Sequence, residues 1–328
     1  MQSRTLPVET RESFPATIEP GRVYRLLPHD ASDEFYYERT DRNIGWITRE
    51  EQEMLRHKVV GIAGCGGMGG LLASIFCRLG VGEVRIADSE TFDVSNINRQ
   101  YAAGRLTIGE SKAWETARLT RETVDDVTLV VYPEGIIEET VHDFVSGCDL
   151  ICDEVEFWAA GSRIMLHQHA RFLGVPLLNC NTVGFGTRLF LFTPGGYPIE
   201  RMLGMSYEEA IAQQARIQAG TATEKEVTVL MERILDGLVP ELPEYAANPS
   251  RYSTVATARA RLINERRATI ISTNPPLAAG FLADHALFQL LKESPIPRTY
   301  VLPPPAPGYL YFDCGQHAAR VVARDGRP

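Results

Sequence analysis

The feature that most constrains this chain is a β-branched run that ends in a cluster of glycines. Val59-Val60-Gly61-Ile62 reads as a buried strand, and Gly64-Cys65-Gly66-Gly67-Met68-Gly69 closes it. Leu71, Leu72, Ile75, Phe76 and Leu79 then recur at helical spacing. Strand, glycine turn and helix in that order make one half of a nucleotide-binding α/β unit. Glycines let backbone N–H groups approach a phosphate with no side chain in the way, and a helix N-terminus favours the anion. A second strand, Val84 to Ala87, ends in Asp88, placed to accept hydrogen bonds from a ribose hydroxyl. Gly64-x-Gly66-x-x-Gly69 followed by an acid describes a nicotinamide or flavin site equally well. Close strand–helix packing alone also explains such glycines.

The residues after Asp88 separate these readings. Ser95-Asn96-Ile97-Asn98-Arg99-Gln100 puts amides and a guanidinium beyond the second strand, and Lys112 adds a further cation. A dinucleotide site, whose pyrophosphate rests on backbone amides, has little use for them. Attack at the α-phosphate of ATP needs them, because negative charge must be neutralised there. With these motifs in order, the chain resembles the ThiF/MoeB/HesA superfamily, the adenylating fold of ubiquitin-activating enzymes, from roughly Arg39 to Asp313.

The resemblance implies ATP as a substrate and assigns roles to residues. The Gly64, Gly66, Gly67 and Gly69 amides hold phosphates, Asp88 the ribose, and Asn96 and Arg99 the phosphate oxygens. Lys112 neutralises the α- and β-phosphates. An Arg-x-x-Arg before the first strand crosses to the partner subunit in this superfamily, and Arg42 matches its second arginine, which implies a homodimer. Without the family, Arg42 is a surface arginine near a helix start. An Asp that helps hold Mg²⁺ is replaced by Glu156, a carboxylate one methylene longer, and Asp153 is positioned to share the task. Solvated glutamates are the plain alternative for Glu154 and Glu156.

Cysteine usage departs from many relatives. The six cysteines, at 65, 77, 148, 152, 180 and 314, form no C-x-x-C pair, so the zinc staple of many members is not expected. None lies between Cys180 and Cys314, so a thioester or persulfide relay in the crossover segment is excluded by chemistry. Cys180 reads as packing near the site. His167 and His169 sit two apart on a helix, on different faces, and cannot share a metal.

The expected fold is α/β: a Rossmann-like, mainly parallel sheet flanked by helices, extended by antiparallel strands, with a helical insertion. Residues 1–37 form an N-terminal arm with a short strand near Val23-Tyr24, and 38–196 the ATP-binding core. Thr48 with Glu51 predicts a capped helix. Residues 197–271 form the insertion, with helices over Tyr207–Ala219 and Thr223–Leu238 and an arginine-rich run (Arg259, Arg261, Arg266, Arg267). It reads either as a substrate-facing lid or added interface, or as a solvated helical face. Residues 272–328 supply a dimer helix from Pro275 to Leu291 and two terminal strands. A net charge of -9 argues against nucleic acid or an anionic membrane as partner. With no signal peptide and no long apolar run, the expected location is cytoplasmic.

The expected function is adenylation of a carboxylate, a peptide or ubiquitin-like C-terminus, with MgATP and release of pyrophosphate. A small-molecule carboxylate, or ATP-dependent dehydration or cyclisation in peptide natural-product biosynthesis, is the alternative. From other classes, a nicotinamide-dependent oxidoreductase fits the glycines alone, and a catalytically idle dimeric scaffold fits the change to Glu156.

Overall fold

The computed structural model describes all residues except 1–4, 16, 30–31, 244, 246–260, 263–264, 266, 298–299 and 325–328. Its core is a parallel sheet built from β3 (Val59–Ala63), β4 (Glu83–Ala87), β5 (Thr128–Tyr132), β6 (Leu150–Asp153) and β7 (Leu177–Val183). The central strand β3 is apolar on both faces and β6 is so up to its terminal Asp153, as strands covered by helices on both sides require. The sheet order is β1-β2-β5-β4-β3-β6-β7-β8-β9-β10. β3 therefore has β4 on one side and β6 on the other, and the chain reverses its direction of travel there. A crevice opens beyond the carboxyl ends of strands at such a switch point.

Register makes that crevice sharp. Ala63 lies opposite Ala87 on one side and Asp153 on the other, so Gly64, Asp88 and Glu154 leave the sheet at one level. The Gly64 N–H donates to the Ala87 carbonyl at 2.7 Å, and the Glu154 N–H donates to the Ala63 carbonyl at 2.8 Å. Flanking the sheet are α1 (Asp33–Thr40), α2 (Arg49–Arg56), α3 (Gly69–Leu79), α4 (Lys112–Thr123), α5 (Val141–Val145) and α6 (Ala160–Leu173). The expected capping box closes α2, with Thr48 and Glu51 exchanging side chain for backbone.

Both sheet edges carry additions. On one, β2 (Val23–Leu26) pairs antiparallel with β5, and β1 (Val8–Arg11) pairs parallel with β2. The arm thus lends two strands to the sheet where one short strand was expected. On the other, β8 (Gly186–Phe192), β9 (Tyr309–Asp313) and β10 (Ala318–Val322) form antiparallel pairs.

Between β8 and β9 lie α7 (Ile199–Leu203), α8 (Tyr207–Gln218), α9 (Glu224–Leu238) and α10 (Asn274–Leu290). The first three are not a separate body. Ile217, Val227, Leu230, Met231, Ile234 and Leu238 are buried in one cluster with Ile164, Phe190 and Tyr309 from the sheet and α6. Gly161 of α6 lets α8 approach closely: a Cβ there would stand 2.7 Å from Ile211 Cδ1. Gly237 does the same for α9, where a Cβ would meet the Met202 carbonyl at 2.8 Å. Of the arginine-rich run, Arg259 and Arg266 lie outside the described residues, and Arg261 bonds Glu265 at 3.3 Å. No helix among the described residues is long and apolar enough to cross a membrane.

Candidate active site

The glycine loop holds its shape because glycine is required at its two ends. Gly64 has φ +106°, and a Cβ there would stand 2.2 Å from the Glu154 carbonyl oxygen. At Gly69 a Cβ would meet the Gly64 carbonyl oxygen at 1.8 Å. Gly66 is the contrast: the nearest atom to its virtual Cβ is Gln100 Nε2 at 4.0 Å, so the loop presents open backbone to the crevice.

Around it the structure gathers Asp88, Lys112 and Glu156 of the charged residues expected there. Asp88 accepts from the Cys65 N–H at 2.6 Å and from the Glu90 N–H at 2.8 Å. Lys112, the first residue of α4 behind the Ser111 cap, sends a buried ammonium to Glu90 Oε2 at 2.6 Å. Burial works against that charge, but Asp88 and Glu90 outweigh it and hold the lysine above its ordinary value. Burial raises Asp88 against the pull of Lys112. Burial and the neighbouring Glu90 raise Glu156, and Lys112 partly offsets them. Asp88, Glu90, Lys112 and Glu156 thus share one field at the switch point. Open loop amides beside a buried cation suit a polyphosphate.

Other expected residues are committed elsewhere. Asp153, expected to share a metal with Glu156, is fully buried and already satisfied. Its oxygens accept from Arg163 Nε at 2.9 Å and the Val155 N–H at 3.1 Å, and His167 Nε2 lies 3.0 Å away. Burial would raise its pKa, but Arg163 and His167 hold it below the usual carboxylate range. This carboxylate braces the segment that follows β6 through Arg163 and the Val155 N–H. Asn96, expected on phosphate, uses its oxygen to close its own turn on the Asp93 N–H at 3.1 Å. Arg99 bonds the Ser95 carbonyl and Asn98 Oδ1, both at 2.9 Å, while its own carbonyl lies 3.6 Å from the virtual Cβ of Gly67. Arg42 is exposed on the 3-10 turn Asp41–Asn43, whereas Arg39 is tied to Asp126 at 2.7 Å. Cys180 is buried against Thr187, and burial pushes its thiol far up, so it is no nucleophile here.

Arg163 escaped the sequence reading, and His167 was weighed there only as a metal ligand. Arg163 is 2% exposed and bridges Asp153 to the Val155 carbonyl, holding the segment that carries Glu154 and Glu156. His167, one helical turn later, shares that carboxylate. A cation and an imidazole at i and i+4 on a largely apolar helix were the available signal.

Next to the loop is a cavity of about 350 Å³. It is lined by Gly66 to Gly69, Asn179 to Gly184, Asp153 to Phe157 and Arg163, with Glu232, Leu235 and Asp236 of α9 and Val239 just after it. Among the described residues no three His, Cys, Asp or Glu side chains gather closely enough to hold a metal unaided. Mg²⁺ needs only one or two carboxylates beside phosphate oxygens, and Glu156 fits that pattern.

Known proteins resemble the chain in part and in whole. Mouse adenylyltransferase and sulfurtransferase MOCS3 is 30% identical over 143 residues, which cover 43% of this chain and 30% of that protein. The Escherichia coli sulfur carrier protein ThiS adenylyltransferase is 27% identical over 148 residues, covering 45% of this chain and 58% of its own. Two solved structures share the fold over more of the length. PaaA superposes with a TM-score of 0.58 at 14% identity, covering 90% of this chain and 85% of that one. Escherichia coli MccB with ATP gives 0.57 at 15%, covering 90% and 73%. The sequence profile of the ThiF family matches residues 40–313, close to the span expected from the motifs, and the chain belongs to the ThiF family.

Proposed function

We propose that this chain is an ATP-dependent adenylyltransferase that activates a carboxylate. The observation that carries the reading is the buried Lys112 ammonium beside open glycine-loop amides at the switch point of a ThiF-family sheet. A carboxylate oxygen attacks the α-phosphorus of ATP, the bond to the bridging oxygen breaks, and pyrophosphate leaves with its charge. The acyl-adenylate remains. No protein side chain becomes covalent, and no cysteine lies between Cys180 and Cys314 to relay the acyl group.

In this reading Gly64 to Gly69 hold phosphates and Asp88 the ribose. Lys112 exchanges its bond to Glu90 for the α- and β-phosphates, a swap of one anion for another at a preorganised cation. Arg99, rotating off its own turn, adds charge, as does Arg42 from a second subunit of a homodimer. Mg²⁺, where bound by Glu156, would neutralise phosphate charge. The acyl substrate is a peptide or small-protein carboxylate. MccB, which shares the fold, has been solved with N-formylated MccA, and the bacterial relative above acts on a sulfur carrier protein.

The test is ATP–pyrophosphate exchange with a panel of carboxylates. Lys112→Ala and Arg99→Ala should each lower exchange by about 10³-fold or more. Arg42→Ala should be as weak alone. Mixed with Lys112→Ala it should recover about one quarter of the activity, because half the dimers then carry one intact site. Near-native exchange in Lys112→Ala refutes the phosphate assignment, and no recovery on mixing refutes the crossing arginine.

A further inference from the structure

We propose that the cavity under α9 is the acyl pocket, and that it selects a carboxylate borne on an apolar residue rather than a glycine tail. The inference rests on the adenylation reading and names the substrate class that reading leaves open. The cavity is continuous with the glycine loop through Gly66, Gly67 and Gly69, so an acyl group bound there ends beside the phosphates. Asp88 and Lys112 lie outside its lining, while Gly66 to Gly69 and Glu156 belong to it, so acyl group and phosphates would meet at that shared edge.

Three observations fix the chemistry of the occupant. The volume, about 350 Å³, lies at the small end of the range for ligand sites, enough for one bulky residue and its carboxylate. The lining is mainly apolar, with Leu235 of α9, Val239 just after it, and Val183, Leu262 and Ile270, beside the carboxylates Glu232 and Asp236. A glycine tail leaves that surface uncovered. Finally, the roof is built in. Val227, Leu230, Met231, Ile234 and Leu238 anchor α9 in the core, Leu235 packs at the edge of that face, and Gly237 seats the helix against Met202. A helix held this way offers a pre-formed shape, so its selectivity is for size and apolarity.

Arg163 is among the residues around the cavity, but its guanidinium serves Asp153 and the Val155 carbonyl and offers no accessible donor to an occupant.

The experiment uses the full chain and a set of hexapeptides that differ only in their last residue: Gly-Gly, Ala, Leu or Phe, with N-acetyl-leucine as the small-acid arm. Exchange is measured with each, and ATP affinity separately by calorimetry. One methylene in an apolar pocket discriminates by about 10–200-fold. Leu- or Phe-ended peptides should therefore exceed the Gly-Gly peptide by at least about 10-fold in kcat/KM. Leu235→Arg should raise KM for the Leu-ended peptide by about 10-fold or more with ATP affinity unchanged. The milder Leu242→Glu, at the exposed mouth, should raise KM in the same direction and guards against misfolding of the first variant. Equal activity of N-acetyl-leucine would mean that the pocket alone recognises the substrate, while preference for the peptide places further contacts outside it. Both support the pocket. A Gly-Gly peptide used as well as or better than Leu, or an unchanged KM in both variants, overturns the pocket and leaves adenylation standing. ATP binding without exchange on any carboxylate overturns both.

Discussion

Replacing Arg163 by Met keeps the aliphatic stem and removes the charge that compensates Asp153. Breaking a buried ion pair by deleting one partner costs about 3–5 kcal/mol, because the other charge is left in a medium that solvates it poorly. Here the carboxylate keeps the His167 contact at 3.0 Å and the Val155 N–H at 3.1 Å, so the low end applies, about 3 kcal/mol. In a chain of 328 residues that lowers Tm by about 4 °C. The sign of the pH dependence follows from the carboxylate. In the native protein Arg163 depresses Asp153; without it, burial dominates and the folded-state pKa rises above the unfolded value. An acid shifted upward destabilises more as pH rises, so the variant should lose less at pH 4.5 than at pH 7.5. Urea unfolding followed by fluorescence at the two pH values measures both numbers. Adding Asp153→Asn to the variant should restore about half of the loss or more, since the stranded charge is then gone. A cost below about 1 kcal/mol, or equal costs at the two pH values, would refute the account of this pair.

Gly64→Ala should cost about 3 kcal/mol or more, combining a left-handed backbone with a Cβ driven into the Glu154 carbonyl. Gly45→Ala, with φ +113° but open space around its Cβ, should cost about 1–2 kcal/mol; matched thermal scans that find the two equal would show that the clash is absent. Glu200 ties α7 to α6 through Arg171 at 2.7 Å and 2.8 Å. Burial works against its charge, but Arg171 and neighbouring donors lower its pKa from 4.5 to about 2. Its contribution is therefore complete above about pH 4.5 and lost as pH falls toward 2, at most about 3 kcal/mol and nearer 2 after screening. Glu200→Gln should be less stable at neutral pH and flatter across that window in acid unfolding curves.

The parallel core was legible because its signals are local. Val59 to Ile62 with the glycine cluster names a strand and the turn after it, and Thr48 with Glu51 names a helix start, with no knowledge of anything distant. β1 was not legible. Val8–Arg11 carries one apolar residue in four and becomes a strand only because β2 offers it an edge. Arg163 and His167 were missed for a related reason. Weighing the two histidines against each other as metal ligands drew attention from the i, i+4 pair of Arg163 and His167, whose partner Asp153 ends a different element. Asn96 was read as a ligand for phosphate; its oxygen closes the turn on the Asp93 N–H, a bond that uses the acceptor and not the donor a phosphate needs. The cavity could not be read from sequence, since it needs Gly66, Asn179, Leu235 and Ile270 brought together from four separate stretches.

The two faces of α9 answer to different demands. The face carrying Leu230, Ile234 and Leu238 is fixed by the core, and Gly237 by the closeness of Met202. Leu235 and Val239 border that face and answer to both demands: Leu235 packs against the core cluster, Val239 is buried, and both line the cavity. A lineage with this architecture can trade one acid partner for another only through replacements that the core beneath α9 also accepts, while the machinery that handles the nucleotide stays as it was.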